Sequence, residues 1–219
     1  AFDSTSRPKH LTLSIGLSCY VMLAQHGPLT PDHCLIVPMA HEKAHTSVEE
    51  DVADEIRNFQ KCLIMMAHAK GKGVIFMETF YGGDSKRPRH MSIDAVPVPM
   101  DVYGDARIYF KKALMESEEE WSTHKKIIDV TATKGIRKSV PPNFPYFHVS
   151  FGLEGGYAHV IEDAADFPRT FGREILAGML GVPAQNIVKQ RKKSPGEERE
   201  NVKKFTDAWG PYDWTSQLK

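Results

Sequence analysis

The sequence predicts an α+β protein, because short apolar runs bounded by turn residues occur together with separate amphipathic helical patterns. Residues 1–100 combine several such runs with one long helical pattern, and residues 101–219 combine a strand hairpin with further helical patterns. Hydrophobic residues make up 41% of the chain, which is enough to bury an ordinary core. We therefore expect a globular fold in which helices pack against a sheet.

The first half is predicted to form short strands around one long helix. In residues 47–70 apolar side chains recur every three to four positions, and Ser47 with Glu50 predicts a capping box at the start of this helix. The first two strands are expected to pair antiparallel, and the last two to form a hairpin with a long, basic tip. Strands are predicted at residues 11–16, 19–24, 34–38, 74–80 and 90–98.

The second half is predicted to add a strand hairpin and three helices. A glycine-rich connection joins the two strands of this hairpin. The aromatic tail at residues 209–214 is expected to dock on the body of the protein, because such large aromatic side chains seldom stay solvated. No flexible linker is evident around residues 97–104, which favours one rigid body. Helices are predicted at residues 105–121, 167–180 and 197–209, and strands at 146–151 and 157–161.

Charge and cysteine usage limit the function classes. The 28 basic residues balance the 28 acidic ones, so no global field attracts nucleic acid or a membrane, although local patches remain open. Cys19, Cys34 and Cys62 lack Cys-x-x-Cys spacing, which predicts reduced core thiols and an intracellular compartment. We expect no membrane association, because no apolar run approaches the ~20 residues of a membrane span. No signal peptide precedes the first strand, and the start at Ala1 suggests a piece of a longer chain.

The histidines of the first half resemble those of the histidine triad fold in order and spacing. His33 precedes a strand ending in Val-Pro, His41 follows it, and after the long helix come His90, Ser92 and Asp94. In a strand spanning residues 90–98, these last three side chains would share one face. The resemblance implies a histidine-triad-like antiparallel sheet with a packed helix, and it places His33 beside a phosphate pocket. Hydrogen-bonded packing is an equal alternative for His33.

Longer motifs resemble the two consecutive C-terminal regions of the CwfJ family, over essentially the whole chain. The resemblance divides the chain into a histidine-triad-like region at residues 1–100 and a second region at 101–219. It implies a nuclear subunit of the late spliceosome, with spliceosomal proteins, the intron lariat or snRNA, and the lariat debranching machinery as partners. The motifs include Phe2-Asp3-Ser4, Pro8-Lys9-His10-Leu11, Ile108-Tyr109-Phe110, Ile136-Arg137-Lys138, Gly155-Gly156-Tyr157 and Pro211-Tyr212-Asp213.

The triad positions themselves predict a pocket without catalysis. In active relatives the middle histidine attacks an α-phosphate, and here that position is Ser92. A serine hydroxyl needs a positioned base, and a carboxylate at Asp94 would also repel an incoming phosphate. The leading hypothesis is a non-catalytic RNA- and protein-binding module. The alternative is a histidine-triad-type nucleotidyl hydrolase or transferase with an altered nucleophile.

Zinc is the cofactor that the resemblance raises. In zinc-bearing members of the fold, the positions of His41 and His90 complete a tetrahedral site with an N-terminal cysteine pair. The second cysteine would stand where this chain has Ala1, and the first would lie upstream, so this chain carries only the histidine half of the site.

A basic cluster is the best candidate for contacts with RNA. Lys86, Arg87 and Arg89 lead directly into the triad segment, where they would neutralise backbone phosphates. Loop lysines and arginines are more often simply solubilising, so both interpretations remain open.

Overall fold

The computed structural model describes residues 9–25, 27–82, 90–117, 127–164, 167–183, 187 and 194–218. The described strands are β1 (Thr12–Ile15), β2 (Cys19–Leu23), β3 (Cys34–Pro38), β4 (Lys72–Phe80), β5 (Ile93–Pro99), β6 (Ile128–Thr131), β7 (Tyr146–Phe151) and β8 (Gly155–Val160). The longer helices are α1 (Glu50–Ala69), α2 (Met100–Glu116), α3 (Phe171–Leu180) and α4 (Pro195–Trp209).

The eight strands form one antiparallel sheet in the order β1-β2-β3-β5-β4-β7-β8-β6. The predicted α+β class is confirmed, and so are the β1–β2 pair and the β4–β5 hairpin. The two halves of the chain share the sheet, because β4 pairs with β7 from Ile75↔Phe151 to Phe80↔Tyr146. The division at residues 1–100 and 101–219 stays a prediction.

The sheet has a hydrophobic core on each side. Along β4 the side chains alternate, so that Val74 and Phe76 join the cluster that includes Phe59 of α1. Ile75 joins the other cluster, which contains residues of α2 and α3. The candidate site lies on this second side, where α3 approaches the middle of the sheet.

The starts of all four described helices differ from the sequence prediction, and α3 and α4 begin at Phe171 and Pro195 instead of residues 167 and 197. The capping box at Ser47 and Glu50 is wrong, because α1 begins at Glu50 and the Ser47 hydroxyl instead donates to the Ala44 carbonyl. α2 begins at Met100, directly after Pro99, five residues before the predicted start at residue 105. The Cβ of an alanine at position 104 would meet nothing within 4 Å, so Gly104 lies on an open helix face rather than in a turn.

The sequence also predicts reduced thiols and no membrane-spanning segment. Cys19, Cys34 and Cys62 are free thiols, as predicted, and burial raises the pKa of each. None of the helices in the described ranges combines the length and the apolar character needed to cross a membrane.

Candidate functional site

The triad segment is not a continuous strand. β5 begins at Ile93, so the predicted start at residue 90 is wrong and only Asp94 of the three triad positions lies within the strand. The Met91 N–H donates to the Glu42 carbonyl at 2.8 Å, which ties this segment to the loop after β3 instead of to the sheet. His90 and Ser92 therefore lie in the approach to β5, before the ladder starts.

The structure brings His33 and Asp94 together. His33 is fully buried, and the Leu29 N–H donates to its Nδ1 at 3.1 Å. Because Nδ1 accepts this hydrogen bond, the ring proton lies on Nε2, which donates to Asp94 Oδ1 at 2.9 Å. His33 is thus a neutral donor that orients the carboxylate.

A third residue, Arg173 of α3, completes this group. Its Nη2 donates to the same Asp94 oxygen at 2.5 Å, and one fifth of each of these two side chains is exposed. Burial favours the neutral form of Asp94, but the hydrogen bond from His33 and the charge of Arg173 lower the pKa of Asp94 to about 2. Burial also lowers the pKa of His33. The site therefore holds one carboxylate and one guanidinium, whose charges offset each other.

A glycine allows α3 to place Arg173 over Asp94. A Cβ at Gly172 would lie 2.7 Å from Met77 Sδ and 2.8 Å from the Phe147 ring, so the first turn of α3 packs directly on β4 and β7. Met77 is the β4 neighbour of Asp94, which explains why the next residue of α3 reaches the carboxylate. Sequence reasoning missed Arg173, although a carboxylate in an apolar strand implies a cationic partner.

Within the described ranges, Ser92 has none of the partners that a nucleophile needs. It is half-buried, and its hydroxyl makes no hydrogen bond within the described part of the chain. His33 cannot serve as its base, because both ring nitrogens are already engaged by Leu29 and Asp94. A serine without a positioned base is a weak nucleophile at neutral pH.

His41 and His90 are neighbours, as the zinc hypothesis requires. Their ring centroids are 5.3 Å apart in an edge-to-face arrangement. His90 Nε2 donates to the Pro38 carbonyl at 2.6 Å, which orients the ring, and burial lowers the pKa of His90. No three His, Cys, Asp or Glu side chains come together as a metal-ligand group within the described ranges.

The basic cluster at Lys86, Arg87 and Arg89 lies outside the described residues, so its role stays a prediction.

A second polar group, which sequence reasoning did not find, surrounds Glu78 of β4. Glu78 is buried, and it accepts hydrogen bonds from the His45 N–H at 2.9 Å and from the Tyr146 hydroxyl at 2.7 Å. Burial raises the pKa of Glu78 to about 7. His148 is the β7 neighbour of Glu78, and burial lowers the pKa of His148 to about 3 and that of His45 to about 4. Both imidazoles are therefore neutral at pH 7.

The fold and the site define an antiparallel α+β protein in which a histidine and an arginine hold the Asp94 carboxylate of β5. The CwfJ family matches this chain in two parts: "Protein similar to CwfJ C-terminal" over residues 1–111 and "Protein similar to CwfJ C-terminus 2" over residues 120–215. The chain belongs to this CwfJ C-terminal family. The histidine-triad-like fold stays a prediction.

Curated relatives carry the match over nearly the whole chain. The chain is 47% identical over 214 residues to "CWF19-like protein 2" of Homo sapiens, covering 98% of this chain and 24% of that protein. It is 34% identical to "Pre-mRNA-splicing factor cwf19" of Schizosaccharomyces pombe, covering 97% of this chain and 34% of that protein. "CWF19-like protein 1" of Xenopus laevis is 31% identical, with 95% of this chain and 37% of that protein covered. The chain thus spans 24% to 37% of the length of these relatives.

Proposed function

We propose that this chain is a non-catalytic, RNA- and protein-binding module of the late spliceosome, located in the nucleus and linked to intron lariat release and debranching. The name of the Schizosaccharomyces pombe relative, a pre-mRNA-splicing factor, supports the splicing role. One observation carries the non-catalytic part. The position of the attacking imidazole holds Ser92, whose hydroxyl has no base among the described residues.

The charge arrangement of the pocket supports binding of a phosphate rather than its transfer. An isolated Asp94 would repel a phosphate, but the Arg173 guanidinium, bound to it at 2.5 Å, offsets that charge. Arg173 remains one-fifth exposed, so an RNA phosphate could approach its guanidinium from the surface. Lys86, Arg87 and Arg89, which directly precede the triad segment in the sequence, would neutralise further phosphates.

We expect branched RNA to bind more weakly when these cations are neutralised. Arg173→Gln, and separately a variant with glutamine at positions 86, 87 and 89, should each lower the affinity about fivefold or more and reduce the salt slope by about one per lost phosphate contact. Arg57→Gln on the exposed face of α1 is the matched control and should bind as the unmodified chain does. Fluorescence anisotropy with branched and linear RNA at several salt concentrations measures this.

Two results would reject this proposal. Unchanged affinity in both cation variants would remove RNA binding at this pocket. Turnover of adenosine phosphoramidates or capped RNA that is abolished by Ser92→Ala would establish the alternative, a nucleotidyl hydrolase or transferase with an altered nucleophile.

We also propose that the natural full-length protein binds structural zinc through His41 and His90. The 5.3 Å separation of their rings and the orientation of His90 by the Pro38 carbonyl fit two imidazole ligands, and the other ligands must lie outside the described residues. Elemental analysis of the full-length protein should give one zinc per chain, lost in His41→Asn and retained in His68→Asn. Equal zinc content in both variants would contradict this proposal.

A further inference from the structure

The outer face of α2 carries apolar side chains that are unusually exposed. The Ile108 side chain is 70% exposed and Met115, seven residues further along, is 57% exposed. Residues seven apart lie on the same face of a helix, so the two form one apolar stripe. Together they border an open groove of about 710 Å³ between α2 and β8, which we call the α2 groove. Three basic residues, one acidic residue, the two apolar residues and a tyrosine line it: Arg107, Lys111, Lys112, Glu116, Ile108, Met115 and Tyr157.

The α2 groove is basic as well as apolar. Lys111 forms no ion pair within the described part of the chain, and Lys112 only approaches Glu116 at 3.9 Å on an exposed helix surface. An exposed pair of this kind contributes little, so both ammonium groups can exchange partners at small cost. Arg107 is held in place, because its guanidinium lies 4.7 Å from the Phe151 ring and 3.5 Å from Glu154.

We infer that the α2 groove binds an amphipathic helix of a partner protein, with apolar side chains against Ile108 and Met115 and acidic side chains against Lys111 and Lys112. Apolar residues at helical spacing match the way a helix packs its own apolar stripe into a groove. The two lysines complement acidic residues that flank such a stripe. RNA fits less well, because exposed aliphatic side chains gain nothing from phosphates.

This inference rests on the protein-binding part of the proposed function, yet it concerns a different surface from the Arg173 pocket. If the chain binds branched RNA through Arg173 but no partner helix binds in the α2 groove, only this inference is rejected. If the chain does not bind branched RNA but a partner helix does bind in the α2 groove, only the RNA site at Arg173 is rejected.

Site-specific photo-crosslinking tests the inference. A benzophenone amino acid replaces Ile108 in this chain, which is added to splicing-competent nuclear extract, irradiated, purified and analysed by mass spectrometry. The same probe replaces Met65 of α1 as the control, because Met65 is 57% exposed, the same fraction as Met115 of the α2 groove. We expect an adduct at position 108, at least fivefold above position 65, with a peptide from another protein that has apolar residues at helical spacing and a net negative charge.

Charge reversal then distinguishes the specific complex from adventitious contact. Lys111→Glu together with Lys112→Glu should reduce the adduct at least fivefold, and changing the acidic residues of the captured peptide to lysine should restore it. Both lysines lie on the exposed surface, so circular dichroism should be unchanged. A nucleotide adduct, an adduct with a second copy of this chain, a yield equal to that of position 65, or a yield insensitive to charge reversal would each overturn the inference.

Discussion

Replacing Glu55 with alanine should lower the free energy of unfolding by about 3 kcal/mol. This α1 carboxylate is buried and accepts hydrogen bonds from three consecutive backbone N–H groups in the β1–β2 turn, those of Leu17, Ser18 and Cys19, at 2.8 to 3.2 Å. A Cβ at Gly16 would lie 2.0 Å from Glu55 Oε1, which shows how closely the turn surrounds the carboxylate. Truncation leaves three donors without an acceptor and separates α1 from the turn.

Two variants make this expectation specific. Asp54→Ala changes the preceding, exposed residue of the same helix and should alter stability by less than about 0.5 kcal/mol. Glu55→Gln keeps the volume but loses the charge and should cost about half as much as Glu55→Ala, because hydrogen bonds to a charged acceptor are the stronger ones. Urea denaturation followed by circular dichroism measures all three. If Glu55→Ala costs no more than Asp54→Ala, the carboxylate does not hold the turn.

The sequence predicts strands well where apolar runs are continuous. β3 and β7 match the predicted ranges, because their runs of branched and aromatic residues are bounded by turn-forming residues. β6 was missed, because Ile128–Thr131 has only two apolar side chains and its pairing with β8 is a tertiary interaction. The start of α1 was wrong for a related reason, since Ser47 uses its hydroxyl for the preceding loop and not for the helix.

Only the part of the candidate site that follows from local sequence patterns could be predicted. The order of His33 and Asp94 indicated a shared pocket, and the two side chains do meet. Arg173 lies 79 residues beyond Asp94 in the chain, and nothing in its local sequence links it to that strand. Glu78 was equally hidden, because polar residues in β4 suggest a solvated face. That face is instead covered by a buried cluster that includes Ala44, Ile136 and Val140.

Glu78 should make the protein less stable as the pH rises. Burial raises the pKa of Glu78 from 4.5 to about 7, so between these values the folded protein holds a proton that the unfolded chain has released. Stability therefore falls as the pH increases through this range, by about 3 kcal/mol in total from this group. His45 and His148 act in the opposite direction, because burial lowers the pKa of each and the unfolded chain binds more protons below pH 6.5.

The contribution of Glu78 is therefore isolated by comparison with Glu78→Gln. The amide cannot ionise, and both histidines remain in the variant. Between pH 4.5 and 7.5 the unmodified protein should therefore lose about 3 kcal/mol of unfolding free energy relative to Glu78→Gln. Glu154→Gln, an exposed carboxylate, should leave the profile unchanged. Parallel profiles for the unmodified protein and Glu78→Gln would mean that Glu78 is solvated and ionised throughout. The hydrogen bonds from Tyr146 and His45 would then stabilise a carboxylate, and the sheet face around Glu78 would be open to water.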